Sequence, residues 1–245
     1  MAEDITSHFN EKGFVIAENL LNLKEIEHYK HVLKLAVKSR KQLDKRQLSE
    51  KTEYEQSFIQ CQNLWEDFQE LRELTFNQRI AGIAAKLLGV KRLRIWHDQA
   101  LIKESGGRET DTHHDQPYWP IKETNTITAW IPMVSISEHN GHMGFFSGSH
   151  KVKEKRFINI FNGKVGQEEL EKLPQLKGLK PEYVDLKPGD VSFHHGLTFH
   201  NAKPNLSSED RPVFTIIYFA DGSTRGNDQF HFSVDRASIG VGEVI

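Results

Sequence analysis

Residues 112–118 read Thr-His-His-Asp-Gln-Pro-Tyr. In extended backbone, side chains two apart point the same way. His113 and Asp115 can therefore both face inward while His114 faces out. Two imidazoles and one carboxylate on one face of a metal ion make up the ligand set of Fe(II) oxygenases, which leaves positions open for a 2-oxo acid and O2. A His-x-Asp carries little weight alone: with 13 histidines in 245 residues, roughly 0.7 matches arise by chance.

A third ligand must come from another segment. Residues 187–202 read Lys-Pro-Gly-Asp-Val-Ser-Phe-His-His-Gly-Leu-Thr-Phe-His-Asn-Ala. This is a turn, a strand and a loop carrying three candidate imidazoles: His194, His195 and His200. Eleven residues past His200, Arg211 opens the apolar strand Pro212–Ala220. 2-Oxoglutarate chelates iron through its 1-carboxylate and 2-oxo group. Its distal carboxylate then needs a partner in a partly desolvated pocket, and an arginine fork matches it with two parallel hydrogen bonds.

As an ordered set, these segments resemble the phytanoyl-CoA dioxygenase family. The likeness runs through His113-x-Asp115 with Tyr118, Ala129-Trp130-Ile131-Pro132-Met133, Gly141–His150, Pro188-Gly189-Asp190, and His200 with Arg211. It implies a double-stranded β-helix (jelly roll), and Fe(II), 2-oxoglutarate and O2 as cofactor and cosubstrates. The implied reaction hydroxylates an unactivated C–H bond of a small organic substrate, releasing succinate and CO2. The resemblance assigns His113, Asp115 and His200 as iron ligands and Arg211 as the distal carboxylate's partner. It also puts Trp130 and Gln99 beside the cosubstrate. The family often has a hydroxyl residue two positions after the distal histidine. Ala202 stands there instead, so Thr126 or Thr128 is expected to supply the hydroxyl. Related halogenases carry a small residue at the position of Asp115 to admit chloride, so its carboxylate favours hydroxylation or desaturation. Two alternatives use the same residues: a cupin-type metal enzyme that does not use 2-oxoglutarate, and an inactive binding or sensor protein on the same fold.

The elements that must position these residues change character along the chain. A short helix capped by Asp4 is expected before Gly13, then a strand at Phe14-Val15-Ile16. Apolar residues at helical spacing (Ile26, Tyr29, Val32, Leu33, Ala36) predict a helix from Leu23 to about Leu43. A second helical stretch is expected over Phe58–Leu74. A third, capped by Asn77, runs to Leu88 and stops at Gly89. Beyond Gly89, short β-branched and aromatic runs at Arg92–Lys103, Thr126–Ile136, Asp190–His195 and Val213–Ala220 alternate with Gly- and Pro-rich turns. The expected fold is mainly β with N-terminal helices: a jelly roll flanked by helices. The expected organisation is one domain over 1–245, with 1–90 mostly helical support and 91–245 the core. A polar insertion at 151–182 carries a short helix at Gln167–Leu173. Ser105-Gly106-Gly107 and this insertion are candidate lids. Lys103, Arg108 and Lys122, flanking the metal segment, are read as solvated charges.

Composition bounds the rest. Apolar residues at 37% and charged residues at 27% fit a globular chain. A net charge of −2 argues against a nucleic-acid footprint. No apolar run approaches a membrane span, and the acidic start Met1-Ala2-Glu3-Asp4 lacks a secretory apolar region. The single Cys61 excludes an intrachain disulfide and a multi-thiolate zinc site. A cytoplasmic location and a small-molecule substrate are expected.

Overall fold

The computed structural model describes residues 5–152, 154, 155, 157, 158, 160, 170 and 172–245. In chain order its main elements are α1 (Ile5–Lys12), β1 (Phe14–Ala17), α2 (Leu23–Arg40), β2 (Ile59–Gln62), α3 (Gln69–Thr75) and α4 (Gln78–Leu88). The strands β3 (Leu93–Lys103), β4 (Thr110–His113), β5 (Thr126–Pro132), β6 (Met143–Phe145) and β7 (Glu182–Val184) follow. The chain continues through β8 (Val191–His195), β9 (His200–Ala202), β10 (Arg211–Ala220) and a last turn of helix, α5 (Phe232–Asp235). A six-stranded sheet in the order β1-β8-β5-β10-β3-β2 faces a four-stranded sheet in the order β4-β9-β6-β7, and the pairings within both are antiparallel. This is the expected jelly roll.

Alternation along the central strands separates two cores. On β10, Phe214, Ile216 and Tyr218 pack outward with Ile127, Ala129 and Ile131 of β5 against the helices. Val213 and Trp130 turn inward to meet Met143 and Phe145 of the smaller sheet. Strand side chains alternate faces, so Arg211 and Thr215 point the same way as Val213. The helices α1, α2 and α4 form where expected. The stripe on α2 (Ile26, Tyr29, Leu33, Ala36) is buried, and Asn22 and Glu25 form a capping box, a device that contributes about 1 kcal/mol. Asn77 caps α4, and Gly89 ends it in the left-handed region at φ 66°.

Two expectations are corrected. The stretch 58–74 is not one helix: it holds strand β2, a 3-10 turn at Leu64–Glu66 and then α3. Asp98, pointing outward from β3, forces the break by accepting the backbone N–H groups of Leu64 and Trp65 and the Thr75 hydroxyl. β2 is then free to extend the large sheet beside β3. Lys103 is not solvated but fully buried at 0% exposure, with Nζ donating to Arg108 O and to Thr110 Oγ1. The candidate lid 105–107 is tied down, with Ser105 Oγ donating to Ser207 O and Gly106 N to Asn205 O. The Asp4 cap and most of the helix expected at 167–173 lie outside the described residues. Among those residues, no helix is long and apolar enough to cross a membrane.

Candidate metal and cosubstrate site

β4 and β9 pair so that His113 lies directly opposite His200. Asp115 follows β4 as the chain turns into the 3-10 turn Gln116–Tyr118. One ligand atom from each of the three lies within 4.8 Å of the others. Asp115 Oδ1 is 3.7 Å from Nε2 of both histidines.

The remaining atoms of these side chains are already committed. His113 Nδ1 lies 2.7 Å from Asp111 O and His200 Nδ1 3.0 Å from Thr198 O, each a carbonyl two residues upstream. A carbonyl only accepts, so each Nδ1 carries the proton and each Nε2 presents a lone pair. Asp115 Oδ2 accepts from Thr128 Oγ1 at 2.9 Å and from His194 Nε2 at 3.2 Å, leaving Oδ1 toward the imidazoles. Partners of this kind fix the orientation of metal ligands. Burial pushes His113 down and His200 well down, so both rings stay neutral. Burial also pushes the Asp115 carboxyl up, but His200, His194 and His113 together outweigh it and hold it well below the ordinary carboxylate range. Two neutral imidazoles and an ionised carboxylate fit a divalent metal.

The triad lines a cavity of about 310 Å³. At one end stands Arg211, 2% exposed, its guanidinium 5.2 Å from the Trp130 ring centroid. Nη1 donates to Gly141 O at 3.0 Å, while the buried Nε has no acceptor. Burial pushes this guanidinium down to about 9. Among the described residues no carboxylate pairs with it, which is costly unless an anion arrives. Thr215, two strand positions past Val213, lines the same cavity with its buried Oγ1 also unpartnered. A buried fork with a spare donor and a spare hydroxyl nearby fit the distal carboxylate of a 2-oxo diacid.

The structure thus brings together His113, Asp115, His200, Arg211, Trp130 and Gln99 around one cavity. Gln99 takes its place there with its Oε1 accepting from Gln60 Nε2 at 2.6 Å. Thr126 is not among them. Its hydroxyl donates to Gln116 Oε1 and packs where any Cβ on Gly196 would sit. The correction follows from the register of β5, in which Thr128 rather than Thr126 reaches Asp115. His194, weighed as a ligand, supports the carboxylate instead. Sequence reasoning missed Thr215 and His97, both of which line the cavity. Counting every second residue from Arg211 along an apolar strand finds Thr215. His97 carried no such signal.

The family model for phytanoyl-CoA dioxygenase matches residues 9–213. The chain belongs to the phytanoyl-CoA dioxygenase family. Two curated relatives, both phytanoyl-CoA dioxygenase domain-containing protein 1 homologs, come from Caenorhabditis elegans and Caenorhabditis briggsae. They are 26% identical over 170 residues and 28% over 160 residues, covering 64% and 59% of this chain. The chain spans only 57% and 52% of their lengths. Among solved structures, the non-heme α-ketoglutarate-dependent carbocyclase SnoK of nogalamycin biosynthesis superposes with TM-score 0.81 at 24% identity, over 100% of this chain and 93% of that one. The epimerase SnoN, solved with Fe3+, α-ketoglutarate and nogalamycin RO, gives 0.76 at 21%, over 99% and 93%. EctD from S. alaskensis, solved with 2-oxoglutarate and 5-hydroxyectoine, gives 0.70 at 18%, over 90% and 76%. At these identities the shared property is the fold.

Proposed function

We propose that this family member is an Fe(II)- and 2-oxoglutarate-dependent oxygenase that hydroxylates a C–H bond of a small organic substrate. The observation that carries the reading is the convergence of His113 Nε2, Asp115 Oδ1 and His200 Nε2 with their other polar atoms already bonded. Iron would be held by these three residues, and with 2-oxoglutarate and O2 it would supply the oxidising power, with succinate and CO2 released. Arg211 would bind the distal carboxylate, with Thr215 as a second donor in place of the hydroxyl absent at Ala202. Trp130 would wall the cosubstrate on one side, and Thr128 and His194 would orient Asp115. An iron-bound carboxylate at Asp115 fills the position a halogenase gives to chloride, which favours hydroxylation or desaturation. We read residues 1–245 as one catalytic unit, since β2 from the N-terminal part extends the core sheet.

The buried Arg211, with no carboxylate partner among the described residues, favours this reading over a cupin-type enzyme without 2-oxoglutarate, which has no use for a buried guanidinium. The intact triad favours an enzyme over an inert binding protein. The test is iron stoichiometry together with succinate release. The parent protein should bind one Fe(II) per chain and form succinate from 2-oxoglutarate, and His113→Ala and Asp115→Ala should each lose stoichiometric iron. Full iron occupancy in both variants would falsify the ligand assignment.

A further inference from the structure

The end of the cavity away from Arg211 is walled by rings. Arg211 pairs with Lys103 across β10 and β3, whereas Ile217 pairs with His97. Six strand positions, about 20 Å of backbone, therefore lie between the Arg211 and His97 positions on this face. Around His97 stand Trp119, His231 and Phe232, with ring centroids 6.4, 5.9 and 6.1 Å away, and Tyr54, Phe58, Tyr118 and Phe230 line the rest of the cavity. Both tyrosine hydroxyls are engaged by the protein: Tyr118 Oη donates to Ile158 O at 2.7 Å and Tyr54 Oη to Gln60 Oε1 at 3.1 Å. These side chains offer ring surface to whatever enters.

The polar groups in this wall are uncharged. Burial pushes His97 down to about 3 and His231 down to about 4. His231 stacks on Phe232 with centroids 4.5 Å apart, and its Nδ1 accepts from Ser233 N at 3.2 Å. The ring proton is therefore on Nε2, a neutral donor suited to a hydroxyl or keto oxygen. Among the described lining residues Arg211 is the only permanent cation, and it stands at the far end.

The rim is aromatic as well. Phe230 lines the cavity yet is 78% exposed, and Phe157, 54% exposed, stands edge-on to Tyr118 at 5.4 Å. Clustered apolar exposure at a cavity mouth marks a binding surface. Size sets how far a ligand enters. A dry cavity of about 150 Å³ holds benzene, and the 310 Å³ here must also take 2-oxoglutarate. Room for about one ring remains near the triad.

We infer that the substrate is a planar, uncharged ring compound bearing a hydroxyl or keto oxygen, with one ring inside the cavity and the remainder laid against Phe230 and Phe157. The inference rests on the Fe(II)/2-oxoglutarate reading of the site. A coenzyme A thioester would bring phosphates, which call for arginine or lysine forks at the mouth, whereas the two exposed side chains described there, Phe230 and Phe157, are phenyl groups.

The experiment is anaerobic calorimetric titration of the Fe(II)- and 2-oxoglutarate-loaded protein with 2-naphthol, with 1-decanol and octanoyl-CoA as comparison ligands. 2-Naphthol should bind about tenfold more tightly than either. Phe230→Ala, an exposed position that does not threaten folding, should weaken 2-naphthol binding about fivefold or more and leave 2-oxoglutarate affinity unchanged. The inference is overturned if 2-naphthol does not bind, if decanol or octanoyl-CoA binds as tightly, or if Phe230→Ala has no effect. The Fe(II)–2-oxoglutarate charge-transfer absorbance, read in the same sample, keeps the two failures apart. Its absence overturns the cofactor reading and this inference with it, while its presence without preferential 2-naphthol binding sinks the substrate class alone.

Discussion

His194 Nε2 lies 3.2 Å from Asp115 Oδ2, the carboxylate oxygen turned away from His113 and His200. Thr128 Oγ1 reaches the same oxygen at 2.9 Å. Removing such supporting partners from metal ligands typically costs about 10- to 100-fold in metal affinity. Thr128→Val and His194→Phe, both close in volume to the parent residues, should each lower Fe(II) affinity by about that factor while the fold persists. Competition against a chelator, with circular dichroism as the folding control, measures it. Parental affinity in both variants would mean that Asp115 needs no orienting partner.

Arg211 has no carboxylate partner among the described residues, so the cosubstrate is its expected one. Arg211→Ala should weaken 2-oxoglutarate binding by about 2–5 kcal/mol, because the distal carboxylate would enter a desolvated pocket alone. Arg211→Lys should restore part of this, since one ammonium cannot form two parallel bonds. Calorimetry on the Fe(II)-loaded protein reads both. Unchanged affinity in Arg211→Ala would remove the residue from the site.

His97 makes acid stability testable. Its pKa is pushed by burial from 6.5 to about 3. Below pH 6.5 the unfolded chain takes up a proton that the folded ring refuses, so stability falls as pH drops through that window. One fully buried ring would cost roughly 2–3 kcal/mol between about pH 6.5 and 4.5. His97→Gln should flatten the loss, which urea midpoints at the two pH values will register. An identical pH dependence in parent and variant would contradict a buried neutral His97.

Lys103 acts in the alkaline direction. Burial, followed by the charges of Arg211 and Arg108, pushes it well below its ordinary 10.5. Between the lowered folded value and 10.5 the unfolded chain holds more protons than the folded one, so parental stability should rise with pH on the approach to 10.5. Lys103→Met should reduce this slope. A slope that the substitution leaves unchanged would mean the amine keeps its proton inside the fold.

The ligand motif, the arginine and the two-part organisation were legible in the sequence because each depends on short-range periodicity. His113 and Asp115 are two apart on extended chain, and Arg211 opens a strand whose alternation is plain. The α2 stripe and the Asn77 and Gly89 boundaries of α4 are likewise local. What tertiary structure alone decided is which distant groups meet. His194 and His200 belong to one segment with similar local patterns, and only the pairing of β9 with β4 sets His200 opposite His113 while β8 carries His194 behind Asp115. Thr126 and Thr128 are equivalent by composition and alternation, and cross-strand register separates them. Residues 58–74 read as helix because their apolar residues fit that period. A carboxylate from another strand, Asp98, claims the amides of Leu64 and Trp65 and lets Ile59–Gln62 join the sheet. Lys103 reads as a surface charge because hydropathy assigns lysine to water. Its burial follows from the strand face it shares with the cavity wall, a property of the closed sandwich that no local stretch of the chain encodes.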